Sequence, residues 1–297
     1  MKELLFKGSA CAIVTPFKGP EKDVDLSKYE ELIRFQIENG TQAIVACGTT
    51  GEAATLSYYE RKQCAACAVR MAKGKVPIIM GTGANNTQAA VRLSNDAEKE
   101  GVDGLLIVTP FYNKTSQDGI IAHYSYISEH VSTPMIVYNV PSRTGLDIKP
   151  ETYKELAKIK NIVAVKEANG NISSAAKTMA LCGDTIAVYA GNDDQTVPFM
   201  SLGAHGVISV AANVIPRTMQ TLVQLCLDGN FTRAAHLQQE LCELEDCLFR
   251  DVNPIPVKTL MEYMHLCESS VRLPLVKCNA QLREKLQQLA MQMPKDQ

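Results

Sequence analysis

Eight short runs of apolar, mostly β-branched residues recur along the chain, and each is followed by a segment with helical periodicity. The runs are continuously apolar, as in LLIV at 105–108, and do not alternate with polar residues. Such runs are typical of strands covered on both faces of a parallel sheet. The predicted strands are 12–17, 43–48, 77–83, 104–110, 134–140, 162–168, 186–191 and 206–210.

The segments between these runs carry helix start signals. Ser27 and Ser57 are each followed three residues later by a glutamate, Glu30 and Glu60. This spacing predicts a capping box, in which serine and glutamate side chains satisfy each other's free backbone N–H groups. Eight β-then-α units in succession predict an α/β fold of the (β/α)8 (TIM) barrel type.

The strand signal ends near residue 215, and the rest of the chain has the pattern of helices. Its predicted helices are 215–228, 231–249, 256–267 and 280–293. The first would complete the barrel and the other three would form a C-terminal helical extension. We therefore predict a catalytic barrel at 1–229 and an extension at 230–297.

Composition excludes several classes of protein. The 297 residues are 46% hydrophobic and carry a net charge of −2, so neither disorder nor a basic nucleic-acid surface is expected. Apolar stretches stay below the roughly 18 residues of a membrane span, and the N-terminus lacks a signal-peptide cleavage site. We expect a cytoplasmic protein that binds neither membranes nor nucleic acid.

The ten cysteines and five histidines do not predict a metal site. The cysteines are scattered among apolar residues, which is typical of buried free thiols. The one C-x-x-C pair, Cys64 and Cys67, lies in a helical pattern and has no second pair. We therefore expect no bound metal.

Polar residues at strand ends are the candidates for chemistry, because a parallel barrel places its active site there. Lys166 follows the buried run 162–165. Burial lowers the pKa of a lysine, so its free amine could attack a carbonyl and form a Schiff base. The alternative is an ion pair between Lys166 and a neighbouring carboxylate.

The preceding strand ends with Tyr138 and is followed by Arg143. Tyr138 could act as a general acid and base beside the lysine. The planar guanidinium of Arg143 suits a carboxylate, although a salt bridge at the barrel rim is the commoner role of such an arginine. Tyr112 stands near the tip of another strand.

Two further strand ends carry polar motifs. The sequence GTTGE at 48–52 contains Thr49 and Thr50 between two glycines, and these could bind an anion or cradle a phosphate. Gly191 is followed by Asn192, Asp193 and Asp194. We expect the aspartates to cap the next helix rather than to bind a metal.

Several motifs together resemble the dihydrodipicolinate synthase and N-acetylneuraminate lyase family. They are GTTGE at 48–52, YNVPSRTG at 138–145, VKEA at 165–168, AGND at 190–193 and NPIPVK at 253–258. The likeness covers essentially the whole chain. It implies a pyruvate-dependent class I aldolase without a cofactor, built as a (β/α)8 barrel with a C-terminal helical extension.

The resemblance also implies roles for individual residues. Lys166 would form the imine with pyruvate, and Tyr138, Thr49 and Tyr112 would relay protons, with Tyr112 supplied by a neighbouring subunit. The residues expected to bind substrate are Thr50, Arg143, Gly191 and Ile208, the glycine and isoleucine through their carbonyls. Family members are usually homotetramers built as dimers of dimers.

The second substrate separates the branches of the family. The Thr49–Thr50 pair with Arg143 resembles the branch that condenses pyruvate with L-aspartate-4-semialdehyde to 4-hydroxy-tetrahydrodipicolinate, the first committed step of the diaminopimelate route to lysine. The alternatives are an aldolase for a keto-deoxy sugar acid or N-acetylneuraminate, and a non-catalytic pyruvate-binding barrel.

One departure from the family concerns feedback by lysine. Inhibited members place polar residues around an interface pocket, where only Asn85 keeps the expected polar side chain in this chain. The departing positions are Ala53, Ala54, Tyr58, Ala89 and Phe111. We therefore expect weak or absent inhibition by lysine.

Overall fold

The computed structural model describes residues 1–292, which form a closed barrel of eight parallel strands surrounded by helices. The strands are β1 Gly8–Ala12, β2 Phe17–Lys18, β3 Asp23–Val24, β4 Ala43–Ala46, β5 Ile78–Gly81, β6 Gly104–Val108, β7 Met135–Asn139, β8 Ile162–Glu167, β9 Ala187–Ala190 and β10 Gly206–Ser209. The helices are α1 Leu26–Glu38, α2 Tyr58–Ala72, α3 Thr87–Lys99, α4 Gln117–Ser128, α5 Pro141–Thr144, α6 Pro150–Leu156, α7 Ile172–Cys182, α8 Thr196–Ser201, α9 Pro216–Leu227, α10 Phe231–Leu248, α11 Ile255–Tyr263 and α12 Ala280–Gln292.

The barrel is formed by β1 and β4 to β10, each parallel to its neighbours, and β1 closes it by pairing with both β4 and β10. The predicted (β/α)8 architecture is confirmed. Side chains alternate between the interior and the helical layer along each strand. In β8 this alternation directs Lys166 inward and Glu167 outward, where Glu167 accepts a hydrogen bond from Tyr153 of α6.

The first strand lies before its predicted position, at Gly8–Ala12 rather than 12–17. Its sequence, GSACA, has low β-propensity, and the more apolar residues that follow gave the stronger signal. Close packing requires small residues at this seam. A Cβ added at Gly206 of β10 would lie 1.8 Å from the carbonyl oxygen of Gly8.

One of the two predicted capping boxes is present. At the start of α2, the backbone N–H of Glu60 donates to Ser57 and the backbone N–H of Ser57 donates to the Glu60 carboxylate. The prediction at Ser27 is wrong, because α1 begins earlier. Asp25 is its N-cap and accepts from the backbone N–H of Lys28, so Ser27 falls within the first turn.

Three helices follow Gly229. Helix α10 packs against α8 and α9, and α11 packs against α12 and the turn after β10. The last helix is described to Gln292, so Met293 of the predicted helix and the predicted extension beyond it lie outside the described residues. The division at residue 229 stays a prediction, although contacts between α10 and α8 tie the two parts together.

All ten cysteines are free, and all except Cys242 are buried. Cys64 and Cys67 lie on α2, as predicted. No group of three or more potential metal ligands is found within residues 1–292. None of the helices described there combines the length and the apolar character needed to cross a bilayer.

Candidate active site

A cavity of about 330 Å³ opens at the C-terminal ends of the barrel strands. Six of the eight predicted site residues line it: Thr49, Thr50, Tyr138, Arg143, Lys166 and Gly191. A second cavity, of about 350 Å³, shares Thr49, Tyr138 and Arg143 with the first, and Asn253 also lines both. We call the two together the cleft. The fold thus gathers residues from distant strand ends into one space.

Lys166 reaches the cleft from the interior face of β8 and is only 5% exposed. Its Nζ makes no hydrogen bond or ion pair with any residue in 1–292, and it lies 4.5 Å from the centre of the Tyr138 ring. Burial lowers the pKa of Lys166 to about 8, although the negative charge of Asp193 opposes that shift. A substantial fraction of free amine therefore exists near neutral pH.

Tyr138 is the partner of Lys166 in the register between β7 and β8. Burial raises the pKa of its phenol, whereas the Arg143 guanidinium and a hydrogen bond with Thr49 lower it. The phenol is therefore neutral when the amine is free, and it is hydrogen-bonded to the Thr49 hydroxyl. This arrangement can deliver a proton to, or remove one from, a group bound to Lys166.

The loop after β4 presents Thr49 and Thr50. Its sharp turn begins at Cys47, whose φ of 49° lies in the left-handed region. Gly51 permits close packing of the loop, since an added Cβ would lie 3.2 Å from the backbone of Cys47, and its carbonyl accepts from the Thr15 hydroxyl at 2.7 Å. Thr50 is consequently held at 3% exposure at the edge of the cleft.

Arg143 lies on the short helix α5 at the rim of the cleft. Its Nη2 donates to the main-chain oxygen of Asn253 at 3.1 Å. The guanidinium forms no ion pair with the residues that the structure describes. It is exposed and available to an anion, which is not the arrangement expected of a rim salt bridge.

Two predicted site residues do not line the cleft. Tyr112 is 92% exposed, and its φ of 70° places a bulky residue in the left-handed region. Such a conformation is uncommon away from functional or turn positions. Ile208 of β10 is fully buried among the side chains inside the barrel.

Neither Asp193 nor Asp194 is the N-cap of the following helix; that residue is Gln195. One carboxylate oxygen of Asp193, Oδ2, accepts the backbone N–H groups of Val210 and Ala211, both at 3.0 Å. Asp193 is the first residue of a 3₁₀ turn, Asp193–Gln195, that precedes α8. Its side chain faces the end of β10. It therefore fixes the backbone that follows β10.

Sequence analysis missed the part that the C-terminal extension plays in the site. The side chain of Asn253 donates to the Thr50 hydroxyl, and Lys258 of α11 forms a fully buried ion pair with Glu52 at 2.7 Å. Both residues belong to the motif NPIPVK at 253–258, which the resemblance included without a role. The unusual combination of lysine and asparagine in an apolar segment was the available signal.

Comparisons with known proteins agree with this fold. Residues 5–293 match the model of the dihydrodipicolinate synthetase family. The 4-hydroxy-tetrahydrodipicolinate synthase of Clostridium novyi (strain NT) is 47% identical over 271 residues, 91% of each chain. Among solved structures, dihydrodipicolinate synthase from Aquifex aeolicus is 41% identical with a TM-score of 0.94, covering 97% of this chain and 98% of that one. The Thermotoga maritima enzyme is 40% identical with a TM-score of 0.95 and the same coverage.

Proposed function

Because the chain belongs to the dihydrodipicolinate synthetase family, we propose that it condenses pyruvate with L-aspartate-4-semialdehyde to 4-hydroxy-tetrahydrodipicolinate and water. The observation that carries the proposal is Lys166. It is a buried lysine without an ion-pair partner in residues 1–292, its pKa is near 8, and it faces a cleft that also holds Tyr138 and Arg143.

The reaction begins with attack of the Lys166 amine on the keto carbon of pyruvate. Loss of water gives a protonated imine, which acts as an electron sink, so no cofactor is needed. Tyr138 and Thr49 move the protons of carbinolamine formation and breakdown. Thr50 binds the pyruvate carboxylate, and Gly191 lines the same cavity. The role expected of the Ile208 carbonyl stays a prediction, because Ile208 does not line the cleft.

Loss of a methyl proton converts the imine to an enamine. Its carbon attacks the aldehyde of the second substrate, whose carboxylate is bound by Arg143. The substrate's amino group then adds to the imine carbon, closes the ring and releases Lys166. The carboxylates of the two substrates are matched by the positive charges of Lys166 and Arg143 in the cleft, on a chain whose net charge is only −2.

A shared site would require an oligomer. Tyr112 is exposed and does not line the cleft of its own chain, which supports its insertion into the site of a neighbouring subunit. We expect a homotetramer arranged as a dimer of dimers. Sedimentation analysis checks the assembly, and Tyr112→Phe should lower kcat without changing the assembly.

Three of the positions that depart from the inhibited pattern lie together in the second cavity, which supports the weak inhibition by lysine expected from the sequence. Ala53, Ala54 and Phe111 line it, and these side chains offer neither a carboxylate nor a hydroxyl to a bound amino acid. Lysine should therefore inhibit weakly or not at all. Complete inhibition at sub-millimolar lysine would contradict this expectation.

The experiment that tests the function has two arms. Borohydride reduction in the presence of pyruvate should attach a reduced pyruvyl group to Lys166, detected by peptide mass spectrometry. A coupled assay with aspartate semialdehyde should then show turnover that Arg143→Ala abolishes while the adduct persists. Absence of the adduct would exclude an aldolase, and an adduct without turnover would indicate a different acceptor aldehyde.

A further inference from the structure

Asn253 connects the two regions of the cleft that bind carboxylates. It lies between α10 and α11 and is 6% exposed. Its side-chain Nδ2 donates to the Thr50 hydroxyl oxygen at 2.9 Å. Its main-chain oxygen accepts from Arg143 at 3.1 Å. A single residue of the C-terminal extension thus contacts one binding group for each substrate.

The direction of the first hydrogen bond determines what Thr50 can do. A threonine hydroxyl carries one proton and two acceptor lone pairs. The amide of Asn253 donates to one lone pair, so the hydroxyl proton is not used in this contact. Within residues 1–292 the Thr50 hydroxyl has no other hydrogen bond, and Thr50 lines the cleft. Its proton is therefore available to a ligand.

We propose that Asn253 is a positioning residue that holds the Thr50 hydroxyl as a hydrogen-bond donor to the pyruvate carboxylate. The inference rests on the proposed function and adds a residue from outside the barrel to the pyruvate site. The bond to Thr50 is the one hydrogen bond that the Asn253 side chain makes within the described residues, since its Oδ1 is buried without a partner.

The two contacts of Asn253 make the proposal selective. Only the contact with Thr50 depends on the side chain, whereas Arg143 is held by the main-chain oxygen. Replacing the side chain should therefore weaken pyruvate binding and leave aspartate semialdehyde binding intact. A merely structural role would affect both substrates, or the stability, without this distinction.

The first test is Asn253→Ala in the intact chain. We expect the KM for pyruvate to rise about tenfold, the size of effect produced by misdirecting one hydrogen bond to a charged group. The KM for aspartate semialdehyde and kcat should change less than about threefold. Asn253→Asp keeps the shape but accepts the Thr50 proton, so its KM for pyruvate should rise further.

The Asp variant also tests the hydrogen-bond direction and serves if the Ala variant does not fold. If the Thr50 hydroxyl donated to Asn253 instead, aspartate would preserve that bond and the KM for pyruvate would stay near the parent value. Arg250→Lys is the matched control, in the same segment between α10 and α11 as Asn253. Arg250 pairs with the exposed Asp246 and contacts neither Thr50 nor Arg143, so the KM values for both substrates should be unchanged.

A double-mutant cycle separates the hydroxyl from charge or packing effects. In a Thr50→Val background no hydroxyl remains to be oriented, so Asn253→Ala should change the KM for pyruvate less than twofold. An equal rise in both backgrounds would overturn the proposal.

Borohydride trapping provides a readout that does not require the second substrate. The pyruvate concentration giving half-maximal adduct on Lys166 should rise about tenfold in Asn253→Ala, in step with the KM. If the parent protein forms no adduct, the proposed function fails. If the parent forms it and the variant has the same half-saturation, only the role of Asn253 is wrong.

Discussion

Two lysines are buried within residues 1–292, in two regions of the molecule that offer them different hydrogen-bond partners. Lys166 lies at the end of a barrel strand, 5% exposed, with its Nζ 4.5 Å from the ring centre of Tyr138. Lys258 lies in α11 of the C-terminal extension, fully buried, with its Nζ 4.2 Å from the ring centre of Phe17. Burial and an aromatic neighbour are common to both.

The difference is hydrogen bonding. Lys258 donates to Glu52 at 2.7 Å and to the carbonyl of Ser270 at 2.6 Å, so its ammonium is compensated. Lys166 makes no such bond within the described chain. Burial lowers the pKa of both lysines, but for Lys258 the Glu52 carboxylate opposes that shift directly. We therefore expect Lys166, and not Lys258, to act as a nucleophile.

The largest expected effect is that of Lys166→Met. Without an amine no imine can form, so turnover should fall at least about a thousandfold, the scale of losing a covalent nucleophile. The fold should be retained or slightly stabilised, because a buried cation without a partner is removed. Coupled assay and thermal unfolding check the two outcomes together. Substantial residual turnover would end the distinction between the two lysines.

Unlike Lys166→Met, Lys258→Met should greatly lower the free energy of unfolding. Glu52 would remain buried without its partner, and breaking a buried ion pair costs about 3–5 kcal/mol of unfolding free energy. Denaturant unfolding measures the loss. The double variant Glu52→Gln with Lys258→Met removes both charges and should recover part of it. No recovery would mean that packing around Phe17, and not charge, makes Lys258 important.

The sequence predicted that Lys166 lies at the site and did not predict the ion pair of Lys258, for a physical reason. Lys166 directly follows an apolar strand, and the geometry of parallel barrels brings such positions to the active site. Lys258 depends on Glu52, which is 206 residues away in the sequence. A helical pattern predicts that α11 exists but not which distant carboxylate its lysine meets. The contact between Asn253 and Thr50 was missed for the same reason.

The fold was predictable where apolar runs were long enough to dominate. Residues 162–168 closely predict β8, which is fully buried. The first strand was misplaced because its small residues satisfy a packing requirement against Gly206 and not a propensity. Tyr112 illustrates a further limit, since the pattern of residues within one chain does not show whether a side chain serves a neighbouring subunit, and that expectation came from the resemblance.

The third prediction concerns pH. Only the unprotonated Lys166 amine attacks pyruvate, and burial lowers the pKa of Lys166 to about 8. The kcat/KM for pyruvate should therefore rise roughly tenfold between about pH 7 and pH 9 and level off above that, because this ratio reports the free enzyme. Stopped-flow or trapping rates measure it. A midpoint near the ordinary lysine value would mean that a nearby negative charge offsets the burial of Lys166.

The smallest expected effect is that of Lys285→Met. This lysine forms an ion pair as Lys258 does, but the pair is not buried. Lys285 of α12 pairs with Glu243 of α10 at 3.0 Å, with side chains 33% and 60% exposed. Water and salt screen such a pair, so Lys285→Met should cost at most about 0.5 kcal/mol. Denaturant unfolding beside Lys258→Met checks this. A loss of unfolding free energy as large as that of Lys258→Met would show that the extension is sensitive to the loss of any lysine. Burial of the Lys258 and Glu52 pair would then not explain the effect of Lys258→Met.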